Sequence, residues 1–142
     1  MKKTSIKLEF VSFNSEPGIK NIRESVFIKE QKVPEELEWD SEDSTAMHII
    51  AKDKAGQIIA TSRLLSNGHI GRMAVLKTYR RQGIGTDMLN KLLEKSKALG
   101  LNCVFLNAQT TAIGFYINSG FEVQGEEFMD AGIPHFRMNK IL

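Results

Sequence analysis

The chain has 142 residues, 42% hydrophobic and 25% charged, with a net charge of +2. That is the balance of one globular domain, residues 1–142, able to bury roughly two-thirds of its unfolded surface without a metal or disulfide framework. A single cysteine, Cys103, excludes an internal disulfide and fits a reducing compartment; no ~18-residue apolar span or apolar signal-peptide core is present, so no membrane partner and a cytoplasmic location are expected.

Residues 6–10 alternate apolar and polar and read as a first strand, ended by Pro17-Gly18. Ile19, Ile22, Val26 and Phe27 mark one face of a helix running to about Gln31 and stopped before Pro34. Residues 35–43 hold six acids and no base, and form a loop, or a loop with one helical turn, around Trp39. Residues 47–53 and 57–65 make a hairpin around Asp53-Lys54-Ala55-Gly56. Asn67-Gly68 is a second turn, leading into an apolar strand over 70–76.

A basic glycine turn follows, Arg80-Arg81-Gln82-Gly83-Ile84-Gly85-Thr86, and then an amphipathic helix. Met88, Leu89, Leu92, Leu93 and Leu99 recur near the helical period, with Asn90, Lys91, Glu94, Lys95 and Lys97 on the other face. Asp87 in the first turn and Lys95 and Lys97 in the last suit the helix dipole, and Gly100 is a stop. Residues 102–107 form a buried strand in which Cys103 is a small core residue. Residues 110–119 form a short helix with Ala112, Phe115 and Tyr116 inward, stopped by Gly120. Residues 121–124 and 134–141 close the chain as a hairpin turning at Asp130-Ala131-Gly132. The order β-α-β-β-β-α-β-α-β-β implies an α/β layered fold: a mixed sheet flanked by helices, with a crossover helix between the central strands.

The glycine turn is where the chemistry concentrates. Glycines let the backbone approach a ligand, the first amides of the helix have no intrahelical partner, and the dipole adds positive potential. A nucleotide P-loop would need a lysine after the second glycine, and a dinucleotide fingerprint a third glycine; neither is present. The acidic run leaves +8 on the rest of the chain, and the notable basic cluster is Lys77, Arg80 and Arg81 beside the turn. One polyanionic small molecule explains that cluster better than a nucleic acid does.

Arg80-x-x-Gly83-x-Gly85, preceded by Met73-Ala74-Val75, resembles the acyl-CoA-binding motif of the GNAT superfamily of N-acetyltransferases. Residues 112–121, with Phe115-Tyr116 and then Gly120-Phe121, resemble that family's second signature. Val26-Phe27, Glu30-Gln31, Val33-Pro34, Glu38-x-Asp40, Asp43 and His48 resemble its small bacterial ElaA-like branch, as does Gly132-Ile133-Pro134-His135-x-x-Met138. Lys77-Thr78-Tyr79 departs from the proline often found before the arginine.

The resemblance implies a GNAT fold, a mixed, mostly antiparallel sheet whose central strands splay apart, and acetyl-CoA as acyl donor. Met73, Ala74 and Val75 would offer main-chain groups to the pantetheine arm, as a peptide pairs with a free sheet edge. The backbone of Arg81, Gln82, Gly83, Ile84, Gly85 and Thr86 would hold the pyrophosphate, with Arg80 and Arg81 within reach of phosphate oxygens and Asn107 touching the pantetheine. Direct transfer to an amine in a ternary complex needs an acid for the thiolate, a base for the amine and a donor for the oxyanion, the last expected from a main-chain N–H near Val75. Tyr116 is the expected general acid. Glu30, His48 and His135 are the candidates for the base, and Arg63 for a substrate carboxylate or an internal acid. The acidic run would attract a cationic amine. The acceptor, a small-molecule or peptide amine, stays open, as do a monomer or homodimer and the alternative of a non-catalytic acyl-CoA-binding or sensing domain. No metal is expected.

Overall fold

The computed structural model describes residues 6–142; residues 1–5, the start of the stretch read above for a signal peptide, lie outside the described residues. Strands β1 (Lys7–Val11), β2 (Met47–Lys52), β3 (Ile58–Leu64) and β4 (Ile70–Val75) form one sheet in that order. Strands β5 (Cys103–Gln109), β6 (Glu122–Asp130) and β7 (Ile133–Ile141) form a second, in the order β5-β7-β6. Every strand pairing within the two sheets is antiparallel. The two meet at a single parallel bridge between His69 and Phe105. The mixed sheet expected from the element order is therefore two antiparallel sheets that part beyond this joint, with β4 and β5 as the walls of the cleft.

Helix α1 (Gly18–Arg23) runs directly into a π-helical segment, Glu24–Glu30, so the helix expected up to Gln31 is present but changes pitch midway. The Gln31 amide closes it on the carbonyl of Val26, five residues back, at 3.0 Å. Such segments widen a helix locally and recur at functional sites. Helix α2 (Glu35–Glu38) is the single turn in the acidic run.

Helix α3 (Ile84–Ala98) is the crossover between β4 and β5. Its Ile84, Met88, Leu89 and Leu92 are buried against Ile49, Ile59 and Ala60 of the first sheet and Val104, Leu106 and Met138 of the second. Each such side chain contributes roughly 1.5–3 kcal/mol by leaving water. Leu99, expected on this face, is 54% exposed, because the helix ends at Ala98 and Leu99 is its C-cap before Gly100 turns at φ +84°.

Cys103 is exposed rather than a core residue. Alternation along β5 turns Val104, Leu106 and Ala108 inward and Cys103 outward, so the apolar run 103–106 is not uniformly buried. The short helix α4 (Ile113–Ile117) follows a 3-10 turn over Thr110–Ala112. The closing hairpin is longer than its sequence suggests: β6 continues to Asp130, past an irregularity between Gln124 and Phe128 where Gly125 sits at φ +75°. No helix of the described residues is long and apolar enough to cross a membrane.

Candidate active site

Strand β4 carries a bulge on the cleft side. Thr61 of β3 faces Ala74 and Arg63 faces Gly71, which leaves Ser62 opposite both Arg72 and Met73. Ser62 Oγ donates to the Gly71 carbonyl at 2.8 Å, and Arg72 sits at φ +50°, a left-handed backbone that a non-glycine residue adopts at a cost. A bulge sharpens the local bend and takes main-chain groups out of the β3 ladder.

The glycine turn comes next. Arg81 at φ +63° and Gly83 at φ +83° reverse the chain, and α3 starts on Gly83 as N-cap. The first helical hydrogen bond runs from the Asp87 amide to the Gly83 carbonyl, 3.0 Å. The amides of Ile84, Gly85 and Thr86 thus have no intrahelical acceptor, and they face the positive end of the dipole. Gly85 serves a different purpose from Gly83: a Cβ there would lie 3.3 Å from the Phe115 ring, so its smallness lets α4 pack on the turn. Arg81 and Thr86 are exposed beside these amides, with Gln82 half-buried.

Arg80 is engaged elsewhere. Nη1 and Nη2 each donate to the Glu30 carboxylate at 2.7 Å, and Nε donates to the Val75 carbonyl at 2.8 Å. The guanidinium ties the end of the π-helical segment to the end of β4. The same contact holds the Glu30 carboxyl below its ordinary range, a poor setting for a base. Tyr79 extends the loop's anchorage through Oη, which donates to Asp53 at 3.0 Å.

Two further candidates are structural. His48 is buried, its Nε2 donating to the Asp43 carbonyl at 2.9 Å. Arg63 is 4% exposed and donates to Asp40 at 2.8 and 2.9 Å and to Asp43 at 2.7 Å. Within the acidic run, Glu35, Glu36, Asp40 and Glu42 are exposed, but two acids are buried. Glu38 and Asp43 are each 3% exposed, with Arg23 between them at 2.7 Å from both carboxylates. Burial pushes the Glu38 carboxyl up against the pull of Arg23 and Arg72, whereas Arg63 draws Asp40 down to about 2.

Met73, Asn107, Tyr116 and His135 line one cavity of about 320 Å³ between the sheets; Ala74 is instead buried in a core cluster with Ile22 and Val26, and Val75 does not line the cavity. Tyr116 packs edge-on against Phe115 and Phe121, and Oη is directed to Met73 Sδ at 3.9 Å. Burial raises its hydroxyl to about 12. His135 is 9% exposed, and its Nδ1 donates to the Ile133 carbonyl at 2.7 Å. A carbonyl accepts only, so Nδ1 carries the proton and Nε2 keeps its lone pair in the neutral ring.

The family model described as "Acetyltransferase (GNAT) domain" matches residues 12–142. The chain belongs to the GNAT acetyltransferase family. This GNAT domain is 42% identical over 123 residues to YjcF of Bacillus subtilis strain 168, named an uncharacterized N-acetyltransferase, covering 84% of this chain and 87% of that one. Among solved structures it is similar to an acyl-CoA N-acyltransferase from Pseudomonas aeruginosa, with a TM-score of 0.85 at 28% identity over 96% of this chain and 99% of that one. It is also similar to Escherichia coli ElaA, with a TM-score of 0.85 at 25% identity over 95% and 99% of the two chains. The chain is accordingly an acyltransferase of the GNAT family, whose fold binds acyl-CoA.

Several cavity residues carry no motif of their own: His69, stacked on Phe105 at 4.7 Å, Arg72, and Gln109, which donates to Gln31 at 2.7 Å. For Arg72 a signal did exist. Gly71-Arg72 breaks the apolar run of 70–76, as a bulged strand does.

Proposed function

We propose that this GNAT domain transfers an acetyl group from acetyl-CoA directly to an amine in a ternary complex, with Tyr116 as general acid and His135 as general base. The observation that carries the reading is the shared cavity: a tyrosine hydroxyl kept protonated by burial and an imidazole whose Nδ1 is committed to the Ile133 carbonyl, both beside the bulge of β4. The donor site fits the cofactor's chemistry. Three amides at the α3 N-terminus with Arg81 alongside suit a pyrophosphate, and the open flank of β4 over Met73, Ala74 and Val75 suits a peptide-like arm. When bound, acetyl-CoA supplies an activated thioester carbonyl. His135 Nε2 takes a proton from the attacking amine, and Tyr116 Oη gives one to the departing sulfur. Asn107, exposed on β5 at the cavity, bonds the pantetheine amides. Arg80 and Glu30 hold the end of β4 in register with the π-helical segment rather than contacting phosphate through a free fork.

The test is thiol release from acetyl-CoA across a panel of amines, with Tyr116→Phe run alongside. Amine-dependent release by the wild type, reduced about 10²–10⁴-fold in Tyr116→Phe with CoA binding unchanged, is the expected outcome. CoA binding without release for any amine would favour the sensing domain instead.

A further inference from the structure

We infer that the acceptor is an amino carboxylate, an amine with a carboxylate a few bonds away, and that the Arg72 guanidinium receives that carboxylate. This rests on the transferase reading above and names the substrate class of the same site.

Counter-charge is shared unevenly among the arginines beside the cavity. Three arginines (Arg23, Arg63, Arg72) and three acids (Glu38, Asp40, Asp43) form one cluster at the cavity, and of these Arg72 and Glu38 line it. Arg23 takes Glu38 and Asp43 at 2.7 Å each, and Arg63 takes Asp43 at 2.7 Å and Asp40 at 2.8 Å. Arg72 is left with the long contacts, Nε to Glu38 at 3.3 Å and Nη2 to Asp40 at 3.4 Å. Its other hydrogen bonds go to the main-chain carbonyls of Leu37 and Glu38, which carry no full charge. Nη1 donates to no described residue.

Position completes the case. Arg72 is the cluster's arginine that lines the cavity, with 27% of its side chain exposed, while Arg23 and Arg63 are sealed off behind it. Its left-handed backbone at the bulge is a strained conformation, and such strain concentrates at ligand clamps. Burial, together with the neighbouring Arg63 and Arg23 charges, depresses its pKa against the pull of Glu38 and Asp40, and a close anion would act in the opposite direction. Arginine's planar fork matches a carboxylate in particular. Because Arg72 directly precedes Met73, which meets the Tyr116 hydroxyl, the carboxylate is held close to the reacting amine. That proximity favours an amino acid over a long diamine or a bulky aminoglycoside. Across the cavity, Asp130 at the β6–β7 turn offers a carboxylate to the ammonium end as it enters.

The experiment compares matched pairs as acceptors with acetyl-CoA: phenylalanine with phenethylamine, leucine with isopentylamine, lysine with cadaverine. The wild type is expected to show kcat/KM at least tenfold higher for the carboxylated member of its preferred pair. Arg72→Met is expected to bring that ratio near unity through the acceptor KM, with the acetyl-CoA KM unchanged, and Arg72→Lys to restore part of it. Equal or better use of the decarboxylated amines by the wild type overturns the proposal without any variant, as does a preference that survives Arg72→Met. If no amine is turned over, the transfer reading fails, and calorimetric titration of the same pairs into CoA-loaded protein decides this one. Carboxylate-selective binding that Arg72→Met abolishes upholds the site, and its absence overturns it.

Discussion

At the scale of single residues, the two groups proposed to handle protons are set by different features of the fold. Tyr116 is held by burial, which raises its hydroxyl to about 12, so it stays a donor well beyond the range where an exposed phenol titrates. The sign is clear: a raised acid keeps its proton to higher pH, so its ionisation cannot impose an alkaline limb below that value. The profile of kcat is therefore expected to hold flat from pH 8 to 10, checked by steady-state rates in overlapping buffers; a fall in that window that vanishes in Tyr116→Phe contradicts the assignment. The His135 ring is oriented by geometry instead, through the bond from Nδ1 to the Ile133 carbonyl. His135→Gln is expected to lower kcat about 10²–10⁴-fold near neutrality. The loss should shrink as pH rises, because more of the amine then arrives unprotonated. A deficit that stays constant across pH would assign His135 a positioning role only.

Between elements, the acidic run and the first helix lock together through buried charge. Arg23 is wholly buried with Glu38 and Asp43 on its nitrogens and the Trp39 ring 5.0 Å from its guanidinium carbon. Removing one partner of such a cluster strands the others in a poor dielectric, so Arg23→Met is expected to cost about 3–5 kcal/mol, read from denaturant unfolding. Asp40 adds an acid sensitivity. Its carboxyl falls from the ordinary 3.8 to about 2 through Arg63, so its contribution is complete above about pH 4 and disappears as pH drops toward 2. Melting temperature should fall across that interval, and Asp40→Asn should flatten the fall. This cluster also marks where the sequence could be read and where it could not. Helix α3, the glycine turn, the hairpins and the Phe115-Tyr116 helix follow from local periodicity and turn chemistry, which act within a few residues. The carboxylate partners of Arg63 lie 20 and 23 positions away, and that of Arg80 lies 50 away, so no local pattern distinguishes a substrate-binding arginine from a paired one. The buried pairing of Glu38 and Asp43 within the acidic run was illegible for the same reason, whereas Arg72 did leave a signal, because Gly71-Arg72 interrupts the apolar run of 70–76.

For the molecule as a whole, the site exists because two sheets touch at one end and diverge at the other. The joint is narrow: the His69–Phe105 bridge, and the Phe105 amide donating to the Gly68 carbonyl at 3.0 Å. Helix α3 backs the cleft with a continuous core shared by both sheets, so the divergence is fixed by packing rather than by the joint alone. Gly68 is the residue on which the joint turns. It sits at φ +93°, and a Cβ there would lie 2.8 Å from the Cys103 carbonyl oxygen, a backbone atom with no rotamer to yield. Gly68→Ala therefore meets strain in its own backbone and a clash across the joint, and relief requires β4 and β5 to move apart. We expect a loss of about 1–3 kcal/mol from the backbone conformation alone, visible in the denaturant midpoint. KM for acetyl-CoA and for the amine should rise together, because the wall residues Met73 and Asn107 shift relative to each other. If the joint only decorates a cleft set wholly by the α3 core, stability will fall while both KM values stay put. An unchanged midpoint would mean that the loop before β4 absorbs the extra methyl, and the joint would then play no part in shaping the site.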